Sequence, residues 1–157
     1  MNALLDPNDR AMRLAVPEAE ALGHAWLGEL HILLGIAKTD GAARRALDSA
    51  DATHARIVAA ASELLGTSTT DPEGPQRPKW QFNPAAWTAI KWADGFATGR
   101  NEQLSEDHLL VAIAWDNLFF TAAVFRQLGV DRGSLVEALG AEGGSAPSDR
   151  PPPDPAR

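Results

Sequence analysis

The sequence predicts an all-α fold of about eight helices in two pseudo-symmetric four-helix repeats. Three observations carry this: an apolar segment that occurs twice, helix-start signals that recur at the same spacing, and the lack of any run alternating between apolar and polar residues as a half-buried strand would. Leu27-Gly28-Glu29-Leu30-His31-Ile32-Leu33-Leu34-Gly35-Ile36 matches Leu104-Ser105-Glu106-Asp107-His108-Leu109-Leu110-Val111-Ala112-Ile113 at a sequence offset of 77. The same offset pairs Leu5-Asp6-Pro7 with Phe82-Asn83-Pro84, and an offset of 78 pairs Leu47 with Phe125 and Ile57 with Leu135. Four matched stations in one order mark an internal duplication. One helical domain therefore spans 1–140, with repeat one at 4–66, a linker at 67–80 and repeat two at 81–140.

Within each repeat the elements follow from local chemistry. Asp6-Pro7 and Asn83-Pro84 each place a capping side chain before a proline at the first helical position, where no N–H is needed. The first helix of repeat one shows apolar spacing at Ala11, Leu14, Ala15 and Leu22, with Pro17 inside it expected to kink or shorten it. Its counterpart carries Ala86, Ile90, Ala93 and Ala97 on one face. The second helices, about 30–38 and 107–115, are apolar on nearly all sides, which is the pattern of a buried helix. Third helices are expected at about 41–50 and 118–128, and fourth helices at about 52–65 and 132–139. Burying two all-apolar helices requires the repeats to pack on one another. The stretch TSTTDPEGPQRP at 67–78 is polar and carries three prolines, so it reads as a linker. Residues 141–157 hold no large apolar side chain and are rich in Pro and Gly; the expectation is a disordered tail.

Composition narrows the function classes. Fourteen Lys and Arg against 21 Asp and Glu give a formal charge of −7. That balance argues against a phosphate-tracking nucleic-acid binder and against adhesion to an anionic membrane. The chain has no cysteine, so disulfides, thiolate metal sites and cysteine nucleophiles are excluded. No apolar run approaches the length of a membrane-spanning helix and no secretory leader pattern opens the chain, so the expectation is a cytoplasmic protein. Neither glycine-rich nucleotide motif, G-x-x-x-x-G-K-[ST] or G-x-G-x-x-G, is present.

The chemistry-bearing candidates are few. His31 and His108 occupy equivalent positions, each opening a buried helix. Packing at the helix start with a bond to a neighbouring loop is favoured over metal ligation, because neither has the H-x-x-x-H spacing of a helical metal site. The alternative is a small His-based metal-binding bundle or enzyme using His24, His31 and His108. Glu29 and Glu106 sit in first helical turns, where the helix dipole suffices to explain an acid. Trp80, Phe82, Trp87 and Trp92 cluster in one short stretch. On a helix starting at Pro84, Trp87 and Lys91 share a face offset from the apolar stripe. Trp87 exposed beside Phe82, with Lys91 near its ring, is the pattern of an anchor for a peptide or apolar ligand; burial against the other repeat is the competing reading. Trp115, Phe119 and Phe120 read as core.

These residues resemble a known family. Leu14-Ala15-x-x-Glu18-Ala19-x-x-Leu22-Gly23-His24-Ala25-Trp26-Leu27-Gly28-Glu29-Leu30-His31-Ile32-Leu33-Leu34-Gly35 is similar to the Gly-His turn and G-T-E-H helix start of the N-terminal repeat domain of Clp chaperones, the ClpC type in particular. Phe82-Asn83-Pro84-x-Ala86, Ser105-Glu106-Asp107-His108-Leu109-Leu110 and Leu128-Gly129-Val130-Asp131 carry the likeness in repeat two. It covers residues 4–140.

The resemblance implies a free-standing, non-enzymatic protein- or peptide-binding module without the AAA+ engine, using no cofactor. Its implied partners are substrates, adaptors or tagged proteins of Clp unfoldases, and it would act as adaptor or decoy, or sequester Clp-directed cyclic-peptide antibiotics. The family's apolar groove for such peptides maps onto Asn2, Leu5, Phe82, Trp87 and Lys91. Its phosphoarginine pockets map onto Asn83 and Asp107 in repeat two and onto Asp6 in repeat one. There Leu30 replaces the glutamate that would fork the guanidinium.

Overall fold

The computed structural model describes residues 7–66, 70–71, 80–115 and 120–142. Eight helices occur among them: α1 (Pro7–Leu22), α2 (Glu29–Ile36), α3 (Ala42–Ser49), α4 (His54–Leu65), α5 (Pro84–Gly99), α6 (Glu106–Trp115), α7 (Phe120–Leu128) and α8 (Arg132–Glu142). Corresponding starts are Pro7 with Pro84, Glu29 with Glu106, Ala42 with Phe120 and His54 with Arg132. The first two pairs keep the offset of 77 and the last two the offset of 78. The duplication read from the sequence is thus repeated in the order and spacing of the helices.

Helix ends repeat as well. A residue with positive φ follows α1 (Gly23, +72°), α3 (Asp51, +62°), α5 (Asn101, +58°) and α7 (Gly129, +73°). The next residue in each case sends its N–H back to a carbonyl in the last turns of the helix: His24 to Ala19 at 2.9 Å, Ala52 to Leu47 at 2.8 Å, Glu102 to Ala97 at 2.8 Å and Val130 to Phe125 at 2.9 Å. These are Schellman closures, which satisfy carbonyls the helix leaves open. Gly23 follows Leu22 directly, whereas Arg100 stands between Gly99 and Asn101 as the α5 cap. The turn in repeat two is therefore reached one position later, and the loop after it is one position shorter.

All eight residues of α2 are buried, as are His108 through Ala114 of α6. Neither helix has a polar face, so each needs cover on every side. The repeats supply it reciprocally: α2 lies against α6, α3 packs on α8, α4 on α7, and α1 touches α5. Each fully buried Leu or Ile in this layer, such as Leu33, Ile36, Leu109 and Ile113, contributes about 1.5–3 kcal/mol relative to exposure. Gly35 sets the α1–α2 distance: a Cβ there would lie 2.4 Å from the Leu14 carbonyl oxygen. Repeat two tolerates Ala112 at the same station, fully buried.

The structure corrects several boundaries. Pro17 does not shorten α1, which continues to Leu22; at that point the helix simply forgoes one N–H bond. The second helices start one position earlier than expected, because Gly28 and Ser105 end the preceding loops. α8 runs to Glu142, and the tail from 143 lies outside the described residues, as does most of the linker. The fold places one extended pairing among the described residues, an isolated parallel bridge between Leu27 and Phe82, in which the Asn83 N–H donates to the Leu27 carbonyl at 2.8 Å. It brings the entrance of α2 to the start of α5. No single helix among the described residues is long and apolar enough to cross a membrane.

Candidate functional site

The first two turns of α5 present a shallow opening of about 610 Å³ lined by Phe82, Pro84, Trp87 and Lys91. Asn83, between Phe82 and Pro84 in the chain, anchors the start of α5 without lining the opening. It is fully buried, its Oδ1 accepts the Ala86 N–H at 2.9 Å as the α5 cap, and its Nδ2 donates to Asp71 at 3.2 Å. Phe82 is held down by the Leu27 bridge and is 4% exposed, so it offers an edge rather than a free ring. Trp87 is 42% exposed and meets Phe82 edge-to-face with centroids 6.0 Å apart. Lys91, one turn on, is exposed.

Comparing the repeats shows why Trp87 is unusual. Its equivalent at an offset of 77 is Arg10, whose Nη1 donates to Glu106 at 2.7 Å at a partly exposed surface. A site that carries a charged, paired residue in repeat one carries a large half-open aromatic in repeat two. The edge contact with Phe82 covers part of the indole, and 42% of Trp87 stays open to solvent. Sequence reasoning places Phe82, Trp87 and Lys91 together, and the structure does so. Asn2, Leu5 and Asp6 lie outside the described residues.

The remaining expected positions are separate from this opening. Asp107 lines a small cavity of about 140 Å³ with Arg100, Glu102, Ser105, His108, Val111 and Leu139, and Asn83 is not in its described lining. Leu30 is fully buried in the core.

The histidines are engaged in a duplicated cap. The Gly28 N–H donates to His31 Nδ1 at 3.0 Å, and the Ser105 N–H donates to His108 Nδ1 at 3.0 Å. With Nδ1 accepting, the neutral ring carries its proton on Nε2. His31 Nε2 meets His24 Nδ1 at 2.8 Å, and His108 Nε2 meets Glu102 Oε1 at 2.8 Å. His24 and Glu102 are the residues that close the Schellman turns of α1 and α5, so they are structurally equivalent despite an offset of 78. Trp26 stacks on His24 with centroids 4.8 Å apart and sets an edge against His31 at 4.4 Å. Burial, and next the adjacent His24, depress the His31 pKa to about 3; burial also lowers that of His24. The Glu102 carboxyl is held below the usual range first by the His108 hydrogen bond. Among the described residues no three His, Asp or Glu side chains converge as a metal ion would require.

Sequence reasoning missed the cross-repeat acids. Glu29 is buried and accepts the Thr121 N–H at the start of α7 at 3.2 Å. Its counterpart Glu106 instead meets Arg10 of α1. Both act between repeats, which their first-turn position in one helix does not reveal.

No family model and no curated protein matches the sequence. Solved structures do. The N-terminal domain of the caseinolytic protease associated chaperone ClpD from Arabidopsis thaliana is similar over 87% of this chain and 92% of its own, with a TM-score of 0.69 at 17% identity. The Hsp104 N-terminal domain from Candida albicans matches over 88% and 90%, with a TM-score of 0.62 at 17% identity. A structure from a malarial protein secretion system matches over 88% and 92%, with a TM-score of 0.61 at 18% identity. Two interlocked four-helix repeats, closed by the same cap at α2 and α6 and aligned over nearly the full length of those domains, give this chain the fold of the Clp and Hsp104 chaperone N-terminal domains.

Proposed function

We propose that this chain is a non-catalytic protein- or peptide-docking module of Clp-dependent proteolysis, acting as adaptor or decoy, with the α5 groove as its contact surface. The observation that carries the reading is Trp87, an indole nearly half exposed over Phe82 where the duplicate repeat has a paired arginine. Apolar area left open beside a single cation suits a segment with an apolar anchor and a nearby acid. The partner classes are substrates, adaptors and tagged proteins of Clp unfoldases, and cyclic-peptide antibiotics directed at them. The Asp107 cavity in repeat two is the place for a phosphoarginine side chain, since Leu30 leaves repeat one without the carboxylate such a group needs.

Calorimetry against that panel tests the reading, using the full chain and the Trp87→Ala and Asp107→Asn variants. Binding of at least one class, weakened tenfold or more by Trp87→Ala with unchanged circular dichroism, supports groove docking. A folded chain that binds none of them overturns it.

A further inference from the structure

We infer that the exposed face of α5 pairs, antiparallel and about a two-fold axis, with the same face of a second copy of this chain. The interface goes beyond the docking reading; only its consequence, that pairing covers the opening at Trp87, rests on that reading.

The face is a stripe. Pro84, Trp87, Lys91, Asp94 and Thr98 are all exposed, and they follow one another at alternating spacings of three and four residues, the seam along which two helices pack. The opposite side of α5, with Ala86, Ile90, Ala93 and Ala97, is buried in the core.

In repeat one the equivalent stations are engaged inside the molecule. Arg10, the counterpart of Trp87, bonds Glu106. Leu14, the counterpart of Lys91, lies against Gly35. Glu18, the counterpart of Gly95, is buried and meets both Lys38 and His54. On α5, by contrast, Lys91 and Asp94 are exposed and make no ion pair among the described residues. Repeat two therefore leaves open a helix face whose duplicate is used.

The order of residues along the stripe states what fits it. Trp87 is large and stands at one end. Thr98 stands at the other, with Gly95 and Gly99 beside it, where an added Cβ would meet nothing within 4 Å. Lys91 and Asp94 lie between. An antiparallel register that sets Lys91 opposite Asp94 of the second copy also sets Asp94 opposite that copy's Lys91, because a two-fold axis makes each contact twice. Trp87 precedes Lys91 by four residues and Thr98 follows Asp94 by four. The same register thus lays each indole over the small end of the other helix. A parallel alignment would put Lys91 on Lys91 and Asp94 on Asp94, and like charges oppose it.

The indole, present twice, supplies the apolar area and is the residue type that anchors interfaces. The charge pairs set register and orientation more than affinity. One helix pair in contact over about three turns buries less than the roughly 1,200 Å² of a stable complex. Pairing is therefore transient, with a dissociation constant on the order of 10–100 µM.

Sedimentation of the full chain between about 5 and about 500 µM, in about 0.15 M salt, tests this and should show a monomer–dimer equilibrium. Trp87→Ala should weaken it about thirtyfold or more. Lys91→Glu and Asp94→Lys should each weaken it about tenfold, since two attractive pairs become two repulsive ones. Mixed together, the Lys91→Glu and Asp94→Lys chains should pair with each other as tightly as native chains do, because each then meets its opposite charge at both contacts. A merely perturbed fold would not give that rescue, and circular dichroism should be unchanged throughout. A chain that stays monomeric to about 500 µM overturns the inference. So does a dimer that ignores Trp87→Ala, or charge variants that fail to rescue one another, either of which places the contact on another surface. If the chain is monomeric while the calorimetry panel binds at Trp87, a foreign peptide is the occupant: pairing is refuted and the docking role stands. If the chain dimerises through α5 and no panel member binds even the Asp94→Lys monomer, pairing stands and the docking role fails.

Discussion

Lowering the pH from 7 to 5 is expected to cost the protein about 2 kcal/mol through His31 alone. The ring is fully buried and its pKa is depressed to about 3, by burial first and by the adjacent His24 second, from an ordinary value of 6.5. Between those values the unfolded chain binds one proton more than the folded one. Unfolding free energy therefore falls with falling pH, by about 1.4 kcal/mol per unit. The contribution is intact above pH 6.5 and is lost progressively from there down to about pH 3. At pH 5 the chain is about 1.5 units into that window, which sets the magnitude at about 2 kcal/mol. His24, also lowered by burial, adds to the loss with the same sign. Urea unfolding at pH 7, 6 and 5, followed by circular dichroism, measures it in the native chain and in His31→Gln. A glutamine at this position can still accept the Gly28 N–H, as in a capping box, but does not titrate. The variant should be less stable at pH 7 and show a shallower slope between pH 6.5 and 5. Equal slopes, or a native chain as stable at pH 5 as at pH 7, would refute a buried neutral His31.

Two further substitutions test the packing. Gly35→Ala should destabilise the fold by about 1–3 kcal/mol, because a Cβ 2.4 Å from the Leu14 carbonyl forces α1 and α2 apart; thermal unfolding reads this, and Ala112→Gly, the reciprocal change in repeat two, should cost only about 1 kcal/mol through helix propensity. Asn83→Ala should cost about 2–3 kcal/mol, combining a lost helix cap with the loss of the hydrogen bond to the Asp71 carboxylate; amide hydrogen exchange should rise first in the opening turn of α5.

Much of this architecture was legible because its determinants are local. Asn83-Pro84 announces α5 through the cap and the fixed φ of proline, and the structure forms that cap. The all-apolar α2 and α6 announce their burial, since water cannot be given to either face. The proximity of Trp87 and Lys91 follows from helical spacing alone. The exposure of Trp87 was legible only as one of two readings, because the offset face of α5 could have met the other repeat. Phe82 shows the limit: its place at a helix entrance was readable, but its burial depends on the bridge to Leu27 in the other repeat. The equivalence of His24 with Glu102 was hidden by Arg100, the additional cap position after α5, which shifts the alignment by one just where the turn closes.

The helices, the duplication and the two apolar rods at the centre are written in the residues, because capping, proline geometry and hydrophobic period act over short stretches of chain. The partners of the polar side chains, by contrast, follow from the packing of the repeats. Glu29 is held at the start of α7, Arg10 pairs with Glu106, and His24 faces His31. The first two pairings join the two repeats across segments far apart in the chain, and the third closes within repeat one between the turn after α1 and the first turn of α2, so none of them follows from the local chemistry of a single helix.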